Sequence, residues 1–208
     1  YRILPQVCLN TAFSVEADWS GASYWFSRVA LSSNGKILLL GLKKNSLQGD
    51  RVVTDIYSQL GVGFSFTEDG LQLFRTNTLT KQLTWDFTHC PDLAQTVIAT
   101  CAVLGVTGLF SGLKSLRIKE TDRILAMQTE LKKIGATLKS QNNEVFALTP
   151  SNTLPTTSIV INTYHDHRMA MAFAPLAAII ENISIENPAV VSKSYPRFWD
   201  DLKETGIK

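Results

Sequence analysis

Three scarcities narrow what this sequence can be. Cysteine is rare: Cys8, Cys90 and Cys101 are the only three in 208 residues. An odd count without metal-type spacing excludes a disulfide scaffold or a zinc cluster, and Cys90 and Cys101 lie in or beside apolar runs, so reduced, buried thiols in a cytoplasmic protein are expected. Long apolar runs are missing too: no stretch of about 18 uninterrupted apolar residues occurs, so no membrane span is expected. Net charge is small, only +2, which removes any global electrostatic case for nucleic acid or a membrane surface. The basic residues are not interleaved with exposed aromatics, as a base-stacking platform requires. The opening residues, Tyr1 to Gln6, lack a secretory pattern, and the missing initiator methionine points to a trimmed start. No metal ion or cofactor is expected. What is present is an apolar content of 45%, enough for a real core in a chain the size of one large or two small domains. Anion binding must come from local clusters.

The chain repeats itself. Asp18, Asp92 and Asp166 each open an apolar, helix-like run, and they stand 74 residues apart, which implies three copies of one unit. The runs from Asp18 to Leu31, Asp92 to Leu104 and Asp166 to Ala178 are apolar on nearly every face, as buried helices are. Each is followed by a short strand-like stretch, Lys36 to Leu42, Val106 to Leu113 or Ile183 to Ile185. An outer helix with one charged face comes next, near Asp50 to Leu60, Thr121 to Ile134 or Pro196 to Thr205, and each ends at a glycine, Gly61, Gly135 or Gly206. In the first two copies two alternating strands follow, joined at Glu68-Asp-Gly70 and Gln141-Asn-Asn143, residues suited to tight hairpins. Ser158 to Asn162 is a strand candidate ahead of the third buried helix. The expectation is an α/β (α+β) fold in a single domain over residues 1–208, with repeats near 14–76, 85–150 and 158–208. The third copy stops at Lys208, where its closing hairpin should begin. Such a unit leaves sheet edges and core uncovered, so another segment, from a longer chain or a partner, is expected to supply the strands.

Chemistry concentrates at Lys119-Glu120-Thr121-Asp122-Arg123, where five charged residues fall in the seven positions from Arg117 to Arg123. The amphipathic run after it places Ile124, Met127, Leu131 and Ile134 on one face. Thr121 or Asp122 can cap this helix, leaving Arg123 in a first turn that already carries partial positive charge, an unfavourable position unless an anion is shared there. On spacing alone the stretch is equally a solvated, salt-bridged helix start. Asp92 follows Pro91, which fixes the approach to its helix, whereas an aspartate before a buried helix is most simply a cap. Arg168 repeats the placement of a cation in a first turn, and Lys193 precedes the third outer helix. If the three units pack around a common axis, Arg123, Arg168 and Lys193 form a cationic cluster with Asp92 and Glu120 among them. Such a site suits a phosphate or carboxylate ligand and a proton transfer.

The strings Asn45-Ser-Leu-Gln-Gly-Asp50, His89-Cys-Pro-Asp92, Leu116-Arg-Ile-Lys-Glu-Thr-Asp-Arg123, Asp166-His-Arg-Met-Ala-Met171 and Ser192-Lys-Ser-Tyr-Pro196, in the family's order and approximate spacing, resemble the 5-enolpyruvylshikimate-3-phosphate synthases. The resemblance implies one lobe of a two-lobed enolpyruvyl transferase fold, three βαβαββ units with helices inside and sheets outside, an inside-out α/β barrel. It implies that the chain is roughly the C-terminal half of such an enzyme, completed by an N-terminal segment and lobe not in this sequence. The implied reaction, part of aromatic amino-acid biosynthesis, moves the enolpyruvyl group of phosphoenolpyruvate to the 5-hydroxyl of shikimate 3-phosphate. Residue by residue, Asp92 matches the carboxylate that takes the acceptor's proton and Glu120 the one near the phosphoenolpyruvate methylene. Arg123, Arg168 and Lys193 match the cations that hold phosphoenolpyruvate, and Lys119 reaches shikimate 3-phosphate. Ser115 stands where an asparagine commonly touches the acceptor. Asp166 is read as a cap supporting the site and His167 as structural.

Other departures are Ala17 before Asp18, the bulkier Trp19-Ser-Gly21 run, and Pro175 inside the third buried helix, where it must break or kink the helix. Two alternatives stay open from sequence: a lobe of the transferase that acts on UDP-N-acetylglucosamine, which shares the fold, and a non-catalytic anion-binding module. The Lys-Glu-Thr-Asp-Arg and Asp-His-Arg-Met-Ala-Met strings favour the shikimate enzyme.

Overall fold

The computed structural model describes residues 2, 4–7, 12, 14–142 and 144–207. The expectations for Cys8, for Asn143 in the second hairpin turn and for Tyr1, Ile3 and Lys208 fall outside it.

The second unit shows the pattern whole. Strand β4 (Gln82–Asp86) leads through the 3-10 turn Pro91–Leu93 into α3 (Ala94–Leu104), then β5 (Thr107–Ser111), α4 (Arg123–Lys133), β6 (Thr137–Ser140) and β7 (Phe146–Thr149). The crossover through α3 returns β5 parallel to β4, and the hairpin completes a sheet of order β4-β5-β7-β6 with antiparallel pairs. The first unit has α1 (Trp19–Ala30), β1 (Lys36–Leu40), α2 (Val53–Ser58), β2 (Val62–Phe66) and β3 (Gly70–Arg75), in an antiparallel sheet of order β1-β3-β2. Its leading strand, expected before Asp18, does not form among the described residues. Glu16 is instead engaged by its side chain, which accepts from Trp19 Nε1 at 3.0 Å, Ser46 Oγ at 2.7 Å and Gln48 Nε2 at 3.3 Å. The third unit has β8 (Ile159–Ile161) and β9 (Ile183–Ile185), paired in parallel around α5 (His167–Phe173), then α6 (Phe198–Glu204). No hairpin follows α6 among the described residues.

The α-helical part of the third buried run ends at Phe173, and Ala174–Ala178 continues as a 3-10 turn with Pro175 at its start. Proline has no N–H to give and its ring crowds the preceding turn, so the break falls where the sequence puts it. The outer helices α2, α4 and α6 are followed by Gly61, Gly135 and Gly206 at φ of 89°, 81° and 86°, a left-handed conformation that stops a helix at little cost only in glycine.

Helices α1 and α5 each pack on α3, α1 also meets the 3-10 turn Ala174–Ala178, and together they join one contiguous core that also takes in the inner faces of the sheets. Helices this buried must satisfy their polar side chains internally. They do so through a seam of hydroxyls: Ser23 Oγ lies 3.2 Å from Thr96 Oγ1, Thr100 Oγ1 donates to Ser27 Oγ at 2.8 Å, and Tyr57 OH is 2.9 Å from Thr100 Oγ1. Ser23 and Ser27, like Thr96 and Thr100, are four residues apart and share a helix face. Their small side chains let α1 and α3 approach closely. This packing brings the N-terminal ends of α3, α4 and α5 together.

Candidate active site

Arg123 is the first residue of α4, and Asp122 caps the helix by accepting the Leu125 N–H at 3.0 Å. Far from being a solvated helix start, Arg123 is only 1% exposed. The unfavourable cation in the first turn is offset by three carboxylates. Its Nε donates to Asp166 Oδ2 at 2.6 Å, its Nη2 to Glu120 Oε2 at 2.6 Å, and its Nη1 lies 3.4 Å from Asp92 Oδ1. A planar guanidinium with five donors can serve three acceptors at once, which an ammonium cannot do in this geometry.

Asp166 is fully buried and caps α5, accepting the Arg168 N–H at 2.8 Å. Asp92 is not a cap: it sits within the Pro91–Leu93 turn, whose side chains cap nothing. Its carboxylate is free to face cations, with Arg168 Nη2 at 2.9 Å, Arg123 Nη1 at 3.4 Å and Lys119 Nζ at 4.0 Å. Lys193 closes the far side, 3.9 Å from Glu120 Oε1. The structure thus brings together Asp92, Lys119, Glu120, Arg123, Asp166, Arg168 and Lys193, four cations against three carboxylates. His167 stands at their edge, its buried Nδ1 without a hydrogen-bond partner and 3.8 Å from Asp166 Oδ1. Ser115 is half-buried in the 3-10 turn Lys114–Ile118 and takes no part in these ion pairs.

Exposure sorts the cations. Arg123 lies deep, whereas the side chains of Arg168, Lys119 and Lys193 are 17%, 36% and 53% exposed. A ligand arriving from solvent meets those three first. Electrostatics prepares the carboxylates and the imidazole differently. Glu120's own backbone amide, and then Arg123, His167 and Lys193, hold its pKa below the usual range. Burial pushes His167 down, against the pull of Asp166. Burial also works against the Arg168 charge, but Tyr24, Asp92 and Asp18 outweigh it and its pKa rises. The buried Tyr24 hydroxyl feels the Arg168 guanidinium without reaching hydrogen-bonding geometry.

Two neighbours of the site were not read as site residues from sequence. Asp50 is half-buried and accepts from Ser20 Oγ; burial raises its pKa and nearby Asp92 adds to the rise. The Asn45–Asp50 string was its only sequence signal. Gly49 explains how the turn fits, because a Cβ there would lie 2.7 Å from the His89 carbonyl oxygen, two residues before Pro91. Tyr24, inside an aromatic-rich buried helix, gave no signal at all. Among the described residues no group of three or more histidine, cysteine or acidic side chains is arranged to hold a metal ion. A cleft of about 990 Å³ between α1, β1 and α6 shares no residue with the charged cluster.

Comparison with known proteins places the sequence in one family. The family model of EPSP synthase (3-phosphoshikimate 1-carboxyvinyltransferase) matches residues 2–202. The chain is 48% identical over 203 residues to the 3-phosphoshikimate 1-carboxyvinyltransferase of Bacteroides fragilis, covering 98% of this chain and 49% of that protein. It is 35% identical over 188 residues to that of Pasteurella multocida, covering 90% and 42%. Among solved structures, EPSP synthase from Acinetobacter baumannii superposes with a TM-score of 0.75 at 19% identity, covering 93% of this chain and 47% of that one. The chain therefore spans about half the length of the curated relatives it matches, and its fold is one lobe of the enolpyruvyl transferase fold. A family model that covers nearly every described residue, including all those gathered around Arg123, leaves one conclusion: the chain belongs to the EPSP synthase family.

Proposed function

We propose that the chain, as a single domain over residues 1–208, is one lobe of a cytoplasmic 3-phosphoshikimate 1-carboxyvinyltransferase that works with a second lobe from the rest of the enzyme. The enzyme transfers the enolpyruvyl group of phosphoenolpyruvate to the 5-hydroxyl of shikimate 3-phosphate and releases phosphate. The observation that carries this is the meeting of Asp92 and Glu120 with Lys119, Arg123, Arg168 and Lys193, drawn from the second and third units. The cytoplasmic placement is supported by Cys90 and Cys101, which are buried and unpaired, as thiols in a reducing compartment are.

In this reading Arg168 and Lys193 receive the phosphate and carboxylate of phosphoenolpyruvate, with Arg123 fixed behind them by its three carboxylates. Lys119, with Ser115 nearby in the chain, meets shikimate 3-phosphate. Asp92 takes the proton of the attacking hydroxyl as its oxygen bonds to the central carbon of phosphoenolpyruvate. A proton from Glu120 joins the methylene carbon, which gives a tetrahedral adduct. Return of a methyl proton to Glu120 and departure of phosphate, which takes up the proton held by Asp92, then restore the double bond in the product. Because its surroundings favour the carboxylate form, Glu120 needs the negative charge of an arriving substrate to raise its pKa before it can act as an acid. Asp166 and His167 support the site without contacting substrate.

The test is phosphate release by the protein that contains this chain, with shikimate 3-phosphate or UDP-N-acetylglucosamine as acceptor. Turnover with the shikimate ester alone supports the proposal. Turnover with the UDP-sugar, or full activity retained in Asp92→Ala, overturns it.

A further inference from the structure

The helix that starts with Arg123 carries a second buried charge. Glu130 lies seven residues on, two turns along the same face, and is 0% exposed. Its Oε2 accepts the backbone N–H of Asn162 at 3.0 Å, and its Oε1 accepts the hydroxyl of Tyr164 at 2.7 Å. Lys133 balances the charge, with Nζ 2.6 Å from Oε2, and also donates to the Val160 carbonyl at 2.8 Å. Burial, and then the Glu130 carboxylate, push the Tyr164 pKa up to about 12, so its hydroxyl remains a donor to Glu130.

What Glu130 holds is the link between β8 and α5. Tyr164 and His165 are consecutive non-glycine residues in the left-handed region, at φ of 54° and 59°. A side chain with a Cβ disfavours that conformation, which persists where surrounding contacts over-determine it. The Asp166 N–H then closes on the Thr163 carbonyl at 2.9 Å, and the chain enters α5 as Asp166, His167 and Arg168. Helix α4 therefore grips the link at both ends, through Glu130 before the left-handed pair and through Arg123 on Asp166 after it. Nothing in the mechanism above uses Glu130, yet burying a carboxylate requires a compensating set of partners.

We propose that Glu130 is a positioning residue: by holding the left-handed Tyr164–His165 turn it sets the direction in which Arg168 and His167 enter the charged site, without itself touching a ligand. The inference rests on reading the Arg168 side of the site as the phosphoenolpyruvate subsite.

Kinetics of the complete protein test it. Glu130→Gln and Tyr164→Phe should each raise KM for phosphoenolpyruvate about tenfold, the scale expected when a binding group is misplaced by a fraction of an ångström. KM for shikimate 3-phosphate should stay unchanged, because Lys119 is carried by a different loop. In Glu130→Ala, adding His165→Gly at an exposed position should recover part of the lost affinity, because glycine takes the left-handed conformation freely. A role in bulk stability alone would lower the amount of active enzyme and leave both KM values unchanged, with nothing for the glycine to rescue. If Glu130→Ala fails to fold, Tyr164→Phe removes one hydrogen bond and still reports the split. Unchanged KM values in both single variants, or parallel rises in the two, overturn the inference. A wild-type protein silent with both substrates overturns the underlying reading and the inference with it.

Discussion

Replacing Arg123 by methionine should destabilise the protein far more than loss of an ordinary ion pair. Exposed pairs contribute about 0–1 kcal/mol, and Glu120 and Asp92, with side chains 38% and 29% exposed, fall near that class. Asp166 does not, for its side chain is 0% exposed and lies 2.6 Å from Arg123 Nε. Removing one member of a buried pair leaves the other charge uncompensated and costs about 3–5 kcal/mol, a large part of a typical total stability of about 5–15 kcal/mol. Asp166→Asn removes the opposite charge while keeping a good helix cap, since asparagine caps as well as aspartate does. The double variant removes both charges, so its loss should fall short of the sum of the singles by about 2 kcal/mol. Urea denaturation of the wild type, both singles and the double measures this, provided the m-value is unchanged. A loss below about 1 kcal/mol in Arg123→Met, or additivity within about 0.5 kcal/mol, would refute the claim that Arg123 and Asp166 form the buried centre of the site.

Asp92→Asn should leave stability nearly unchanged but lower kcat by about 10²–10⁴-fold, the usual contribution of a general base; circular dichroism with steady-state phosphate release separates the two. Stability should fall as pH drops. His167 has a folded pKa below its ordinary 6.5, so the unfolded chain takes up the extra proton first and stability declines from about pH 6.5 downward. Glu120 adds to the loss at lower pH, because its lowered folded pKa gives stability that is present above 4.5 and disappears as pH falls through the folded value. Thermal denaturation from pH 8 to 4 in an Asp50→Asn background, which removes a carboxyl whose raised pKa works the other way, reads both, and a midpoint that rises on acidification from pH 8 to 6 would contradict the burial of His167. Thr100→Val strands the hydroxyls of Ser27 and Tyr57 in the core and should cost about 1–3 kcal/mol by urea denaturation, whereas a neutral result would mean that the seam between α1 and α3 is dispensable.

Much of the fold is written locally. Periodicity marks α1, α3 and α5 as buried on all sides, glycines mark where α2, α4 and α6 stop, and Pro175 marks the break after Phe173. Spacing also pointed to Asp92, Glu120, Arg123, Arg168 and Lys193 as one cluster, because a repeat that places equivalent helices around an axis must bring their starts together. The remainder depends on contacts between distant segments. Glu130, three residues before Lys133, has the spacing of an ordinary surface ion pair, and only the packing of the β8–α5 link over it makes it buried. Arg123 is likewise indistinguishable in sequence from a solvated helix-end arginine until Asp166, 43 residues away, closes over it. The leading strand expected in the first unit needs more than an apolar stretch, since a strand forms only where a sheet edge pairs with it. Among the described residues, 14–18 have no such pairing with β1.

Whether the charged cluster is half of a shared catalytic site can be read from one comparison: phosphate released from phosphoenolpyruvate and shikimate 3-phosphate by this chain alone, and by this chain mixed with the separately produced remainder of the enzyme. Four cations and three carboxylates on one lobe, in a chain that covers 49% of its Bacteroides fragilis relative, predict no turnover alone and turnover in the mixture. Activity in the chain alone would contradict a shared site, and a folded, assembled mixture that releases no phosphate would contradict the proposed reaction.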